Sequence, residues 1–363
     1  MSDWNWLEEF NERAWNDRDF ERLYLFDLLF AGEQVSHERP DEKFDAFERG
    51  RLHAARLGEK WWEMVFEFWK IQTLLYKKQD PKAALQLAAR CVVETRKPIY
   101  DGFPQKAVIH LDMVACYIRL DPIGYRAEIE AALAEIEKQI GPRSEDSRYF
   151  SQVKTRFLWS LEDPRCVGEA WNYLRAADAD DSDHHTVFAL TYLCGILHEF
   201  ERETARQTLA ELARRGLEVA REERRERLEI NFLAWGAVAL RMKKSGENSA
   251  NANSASEATR VFELAWRLHE RLAPPRNAIF GAAKAFHEEG GDLENALRVC
   301  QKAIRATSGH NLEFERVAWR WRKIELLEKL NRSAAREAKR LRRDAAKLRS
   351  RAFWEARLNA SEN

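Results

Sequence analysis

The sequence predicts an all-α protein built from antiparallel pairs of helices. Apolar side chains recur at the helical spacing of i, i+3 and i+4 in almost every segment, and no alternation with a period of two lasts more than a few residues. The 363 residues include only 15 glycines and 9 prolines, so the tight turns of a strand-rich fold are scarce. With 45% hydrophobic and 33% charged residues, the chain is too apolar for a disordered protein and too charged for a membrane bundle.

Helices are expected along nearly the whole chain, beginning with one whose Trp4, Leu7 and Phe10 lie near one face. The dipeptide Asp-Pro marks three helix starts, because Asp caps a helix and Pro suits its first turn; it occurs at Asp80-Pro81, Asp121-Pro122 and Asp163-Pro164. The short breaks between helices predict antiparallel neighbours. The expected helices cover residues 3–15, 19–31, 41–57, 60–77, 81–95, 105–119, 123–139, 146–161, 165–176, 184–200, 203–221, 224–243, 257–272, 276–288, 293–306, 313–330 and 333–357.

Two of these helices indicate what must surround them. Apolar residues cover most of the circumference of the helix at 60–77 and leave Glu63, Glu67 and Lys70 as a narrow polar stripe, so this helix needs neighbours on two sides. The helix at 333–357 has one thin apolar stripe and is otherwise charged, which is typical of a terminal capping helix.

Residues 245–256, SGENSANANSAS, form the one low-complexity stretch of the sequence. Small polar residues bury too little surface to offset the entropy of ordering, so we expect a flexible loop. This loop separates an N-terminal helical-repeat block, residues 1–244, from a C-terminal block, residues 257–363. It is either a hinge between the blocks or an insertion that the surface tolerates.

Two segments resemble the tetratricopeptide repeat (TPR), a helix-turn-helix unit of 34 residues in which small residues mark the crossing of the two helices. In residues 279–304, Ala283 and Ala296 take the small positions on either side of a Gly-Asp turn. In residues 68–91, an Asp-Pro pair replaces that turn and Ala84 is the close-packing residue. The remaining chain resembles the family only in having paired helices.

The resemblance implies a right-handed α-solenoid in which the first helix of each pair lines a concave, partner-binding surface. The sequence departs from the family after Ile304, where the Pro that usually ends the repeat is missing, and an all-helical domain of another kind remains the alternative. From the positions in the repeat, the expected partner-binding residues are Phe66, Trp69, Thr73, Tyr76, Asn277, Phe280, Lys284, His287 and Arg320.

Catalytic motifs are absent, since the sequence contains no GxGxxG, GxxxxGKS/T, GxSxG or HExxH pattern. No pair of carboxylates lies in an apolar stretch that would clearly raise a pKa. Four Asp and two His fall within residues 178–185, but their spacing lacks the Gly and the distal Glu of a calcium loop. We therefore expect no enzyme, no metal and no cofactor.

Charge is unevenly distributed along a chain whose 60 basic and 60 acidic residues balance. Residues 1–50 carry 14 acids and 6 bases, whereas residues 292–363 carry 10 acids and 18 bases. The basic patch on the last predicted helix is interpreted as a solvated cap, as a surface for an acidic protein or as a nucleic-acid contact. The opposed charges of the two ends would also support head-to-tail self-association. The patch comprises Arg336, Lys339, Arg340, Arg343 and Lys347.

The sequence thus predicts a non-catalytic scaffold, adaptor or regulatory subunit that binds a peptide or protein partner. The alternative is a nucleic-acid-associated protein that uses the basic C-terminal helix. We expect no signal peptide, because the N-terminus is acidic. We expect a cytoplasmic location, because the five cysteines are odd in number and lack the spacing of a metal-binding motif. We expect no membrane span either, since the most apolar run, residues 187–197, is shorter than the roughly 20 residues that cross a bilayer.

Overall fold

The computed structural model describes residues 4–36, 39–140, 145–179, 182–242, 252–271, 278–308 and 311–362. Within these ranges the chain is all-α, as predicted, and contains no β-strand. The described residues form eighteen α-helices, one π-helix, Thr73–Lys77, and one 3-10 helix, Pro98–Tyr100. These are α1 (Asn5–Asn16), α2 (Phe20–Gln34), α3 (Pro40–Leu57), α4 (Lys60–Gln72), α5 (Pro81–Glu94), α6 (Lys106–Leu120), α7 (Arg126–Glu137), α8 (Glu145–Ser160), α9 (Arg165–Ala179), α10 (Asp183–Phe200), α11 (Arg206–Glu222), α12 (Glu226–Arg241), α13 (Ala252–Arg271), α14 (Ala278–Glu289), α15 (Leu293–Ala306), α16 (Glu313–Lys329), α17 (Ala335–Ala345) and α18 (Arg351–Glu362).

Short polar side chains begin several of these helices. The carboxylate of Asp80 accepts a hydrogen bond of 3.1 Å from the backbone N–H of Ala83, which confirms the cap predicted there. Asp292 caps α15 in the same way through the N–H of Asn295, also at 3.1 Å. Each cap satisfies a backbone donor that the first turn of a helix leaves without an intrahelical acceptor.

The single helix predicted at 333–357 is wrong, because the chain turns after Ala345 and forms α17 and α18. With 3.6 residues per turn, a straight helix that buries Glu337 would place Glu355, rather than Trp354, on the same face. The turn allows Trp354 to be buried, with its ring centre 6.0 Å from that of Phe314. Burial of this large apolar side chain therefore accompanies the break.

The predicted loop at 245–256 is partly helical, because α13 begins at Ala252 and includes residues 252–256. The remaining residues of that segment lie outside the described part of the chain. Ala258 and Phe262 of α13 are buried in the core, and this packing stabilises a helix whose first turns include Asn253, Ser254 and Ser256, residues of lower helix propensity than alanine.

The helices form two compact units. Unit 1 comprises residues 1–153 and 310–312, and unit 2 comprises residues 154–309 and 313–363. The division falls within α8, whereas the predicted division at 245–256 lies inside unit 2.

In unit 1, each helix from α1 to α7 packs against the next one in the chain, and α4 also contacts α6. Contacts of α4 with α3, α5 and α6 confirm that this helix has neighbours on more than one side. Its fully buried Trp62 packs edge-on against the rings of Phe26 and Phe10, with centres 4.8 and 5.5 Å away. Tryptophan and phenylalanine rings thus fill the space between these helices.

In unit 2, packing is again sequential from α9 to α18. The alternate helices α10, α12 and α14 also contact one another, so they form an inner row against which α11 and α13 pack. Sequential packing of this kind is consistent with a helical solenoid.

Glycine allows two neighbouring helices to approach closely in each unit. Gly50 of α3 faces the ring of Phe66 on α4, and Gly216 of α11 faces the ring of Phe232 on α12. A Cβ atom at either glycine would lie nearer to the phenylalanine ring than real Cβ contacts come. The two residues of each pair are 16 positions apart, so the same crossing occurs in both units.

Candidate functional site

The residues predicted to line a concave surface differ in exposure. Four of them are half-buried, namely Trp69, Tyr76, Lys284 and His287. Four others are buried, namely Phe66, Thr73, Phe280 and Arg320. Asn277 lies outside the described residues. That these residues contact a partner stays a prediction, and the four buried side chains expose little surface in this structure.

Helix packing accounts for this burial. Phe66 fills the space over Gly50, and Phe280 lies edge-on to Trp319 with ring centres 6.4 Å apart. The hydroxyl of Thr73 donates a 2.8 Å hydrogen bond to the backbone carbonyl of Trp69, four residues earlier on α4. Side chains used in this way have no surface left to offer a partner.

The half-buried residues are also engaged within the protein. Trp69 stacks on Phe47 with ring centres 5.9 Å apart, and the Lys284 ammonium lies 2.6 Å from the Glu288 carboxylate. His287 packs edge-on against Phe262, and burial of its imidazole lowers the pKa of His287. These contacts hold the side chains in place and leave part of each accessible.

Tyr76 belongs to a buried polar cluster in unit 1, which we call the Asp112 cluster and which comprises Gln72, Tyr76, Asp112 and Tyr149. The hydroxyl of Tyr149 and the amide of Gln72 each donate a 2.6 Å hydrogen bond to Oδ1 of Asp112. The hydroxyl oxygens of Tyr76 and Tyr149 lie 3.1 Å apart. Tyr149 already donates to Asp112, so Tyr76 donates to Tyr149.

The Asp112 carboxyl has no exposed surface, and its Oδ2 atom makes no hydrogen bond to any residue that the structure describes. Burial raises the pKa of Asp112 to about 7, against the opposing effect of the hydrogen bonds from Tyr149 and Gln72. Burial also raises the pKa of Tyr149 well above its usual range. The cluster can therefore hold a proton on Asp112 near neutral pH.

A π-helix places Tyr76 in this cluster. Residues Thr73–Lys77 form one π-helical turn directly after α4, a feature that often occurs at functional sites. Sequence reasoning missed Asp112, although a lone acid in the largely apolar run of α6, AVIHLDMVAC, was a visible signal. The contribution of Tyr149, which follows 37 residues later, carried no such signal.

A second buried polar group, the Arg320 cluster, joins α16 to α17 in unit 2 and comprises Arg320, Lys323, Glu337 and Asp344. The guanidinium of Arg320 donates from Nε to Asp344 at 2.7 Å and from Nη1 to Glu337. The ammonium of Lys323 lies 2.8 Å from the other oxygen of Glu337. Burial opposes ionisation of Glu337, but the hydrogen bond and charge of Lys323, with those of Arg320, outweigh it and lower the pKa of Glu337.

This pairing leaves the opposite face of α17 basic. Glu337 and Asp344 are the only acids between residues 332 and 351, and both are buried against α16. Four bases of the predicted patch are exposed, namely Arg336, Lys339, Arg343 and Lys347. The fifth, Arg340, is half-buried. Their spacing places them along one side of the helix and the turn that follows it. We call these five residues the basic face of α17.

The described residues contain no group of three or more His, Cys, Asp or Glu side chains arranged to hold a metal ion. Within residues 178–185, Asp178 is bound by Arg215 at 2.5 Å, and His185 lies 2.9 Å from the Tyr173 hydroxyl.

No helix in the described ranges has the length and apolar character needed to cross a bilayer.

No protein-family model matches the chain, and no curated protein is significantly similar to it in sequence.

Proposed function

We propose that the protein is a non-catalytic interaction scaffold, an adaptor or regulatory subunit that binds an acidic segment of a protein partner on the basic face of α17. The observation that carries this proposal is the burial of Glu337 and Asp344 against Arg320, which removes both local acids from the surface. In the part of the chain that the structure describes, Arg336, Lys339 and Lys347 form no ion pair.

A right-handed, TPR-like stacking of helix pairs forms part of the proposal, and the sequential packing in each unit supports it. The burial of Phe66, Thr73, Phe280 and Arg320 moves the proposed contact surface from the predicted concave residues to α17.

A cytoplasmic location is also proposed, because all five cysteines are buried free thiols. Burial raises the pKa of Cys194 well above its usual range, so this thiol is unreactive.

Nucleic acid is the second candidate ligand, since exposed arginines and lysines also contact phosphates. Proteins that bind single strands add aromatic side chains on which bases stack. On α18, the helix that follows the basic face, Trp354 is buried and Phe353 is 40% exposed, so that helix offers one accessible tryptophan or phenylalanine ring. This scarcity of stacking groups favours a protein partner.

Affinity capture of the full chain from its native cell, with identification by mass spectrometry, tests the proposal. The test variant reverses the charge of four exposed residues, Arg336→Glu, Lys339→Glu, Arg343→Glu and Lys347→Glu. The control reverses four exposed arginines elsewhere in unit 2, Arg175→Glu, Arg214→Glu, Arg260→Glu and Arg298→Glu. We expect a protein partner that survives nuclease treatment and is lost only with the α17 variant.

Capture that depends on intact nucleic acid would instead favour the second candidate. In that case binding of duplex DNA should weaken steeply with salt, with a log–log slope of about −0.9 per phosphate contact. A partner that both variants retain equally would contradict the proposed surface.

A further inference from the structure

Three helices of unit 2 enclose a depression beside the basic face of α17. Its volume is about 320 Å³, roughly ten times the ~30 Å³ that one water molecule occupies in the liquid. It therefore has room for an anionic group together with part of the side chain that carries it. The lining includes Gln301, Ile304 and Arg305 of α15, Lys323 of α16, and Glu337 and Arg340 of α17.

The charges around this depression do not balance. Arg305, Arg320, Lys323 and Arg340 line it and contribute four positive charges. Glu337 contributes one negative charge, and Asp344, bound to Arg320, contributes a second. The local excess is therefore two positive charges, which a dianion would neutralise.

The donors nearest the solvent are available for a ligand. Arg305 is exposed and forms no ion pair within the described ranges, and the Gln301 amide makes no hydrogen bond there. The Arg340 side chain is 41% exposed and lies 3.4 Å from Glu337, a longer contact than the 2.8 Å between Lys323 and Glu337. Two guanidinium groups that are not tightly paired thus meet at one opening.

We propose that this depression binds a phosphate monoester on a phosphorylated side chain of the protein partner, an inference that rests on the proposed function. Such a group carries about −1.5 to −2 charges near pH 7, which matches the excess of two positive charges. Its three oxygens accept bidentate hydrogen bonds from arginine. The apolar Ile304 lies beside these donors and suits the carbon atoms of the phosphorylated side chain.

Binding of the full chain to two synthetic peptides tests this inference. Both peptides repeat Glu-Gly, and they differ only in a central phosphoserine or serine. We expect the phosphopeptide to bind about tenfold to hundredfold more tightly, because each charge-assisted hydrogen bond contributes more than a neutral one. Arg305→Gln combined with Arg340→Gln should abolish this difference, since both side chains line the depression. Arg336 is exposed on α17 but does not line the depression. Arg336→Gln should therefore weaken the binding of both peptides and preserve the ratio of their affinities.

Equal binding of the two peptides, or a preference that survives the double substitution, would overturn the phosphate site. The proposed function would still stand if the four-residue charge reversal on α17 reduced binding of both peptides.

Inorganic phosphate provides a further arm of the experiment. If it bound alone as tightly as the phosphopeptide, the site would be assigned to a free anion and the role of a partner side chain would be overturned. Weak competition by inorganic phosphate, together with the peptide difference, is the result we expect.

Discussion

At Asp112, the cost of burying a charge competes with two strong hydrogen bonds. The folded protein keeps a proton on this carboxyl up to about pH 7, whereas an unfolded chain releases it near the ordinary pKa of 3.8. The folded state therefore binds more protons than the unfolded state between these values. Its free energy of unfolding should fall as the pH rises through that window and change little from this cause above it.

The substitution Asp112→Asn tests this assignment. Asparagine keeps an oxygen that accepts from Tyr149 and Gln72 but carries no charge. The fall in the free energy of unfolding with rising pH should therefore disappear. A pKa rise from 3.8 to about 7 corresponds to roughly 4 kcal/mol at most, and we expect the variant to exceed wild type by about 2–4 kcal/mol at pH 8. Urea unfolding between pH 4 and pH 8 measures the difference.

The exposed Asp27→Asn is the matched control and should leave the pH profile unchanged. If the profile of Asp112→Asn ran parallel to that of wild type, the proton would have to be bound elsewhere.

Between elements, the crossing of adjacent helices depends on a glycine opposite a phenylalanine ring. Gly216→Ala would place a methyl group too close to the fully buried ring of Phe232, so the ring or the helix would have to shift within the core. We expect a loss of about 1–3 kcal/mol in the free energy of unfolding, the usual cost of overpacking a core. Chemical denaturation with circular dichroism detection measures it.

Gly281→Ala provides the control for the general effect of alanine in a helix. Gly281 lies within α14, and a Cβ atom there meets nothing within 4 Å. This variant should be as stable as wild type or gain up to about 1 kcal/mol, because alanine has the higher helix propensity. Equal effects at both glycines would contradict the close crossing of α11 and α12.

Several elements could be predicted from the sequence because their determinants are local. Asp80 caps α5 through a donor three residues away, and the apolar circumference of α4 indicates the buried position that it occupies. The break between α17 and α18 could not be predicted, since a continuous helical pattern runs through it. It depends on Trp354 meeting Phe314, which lies 40 residues earlier in the sequence.

For the whole molecule, unequal charge predicts salt-sensitive self-association. In α1, Glu8, Glu9 and Glu12 are exposed and form no ion pair within the described ranges, while α17 presents its basic face. Electrostatic attraction reaches about 30 Å at 0.01 M salt and about 8 Å at 0.15 M. Light scattering at low salt should therefore give an average mass above the monomer's 42.5 kDa that falls toward that value as salt is added.

The four-residue charge reversal on α17 should abolish this increase in mass. The reversal of Arg175, Arg214, Arg260 and Arg298 should leave it in place. A strict monomer at low salt would exclude head-to-tail association.

By itself, the sequence determined the all-α class, most helix positions and the opposite charge of residues 1–50 and 292–363, because these depend on spacing and composition along the chain. Only the tertiary structure decided which polar side chains are buried and with whom they pair. Arg320 was predicted to line a concave groove, yet its side chain is buried and bound to two carboxylates of the next helix. Local patterns do not encode such pairing, because a buried charge is stabilised by partners that folding brings to it.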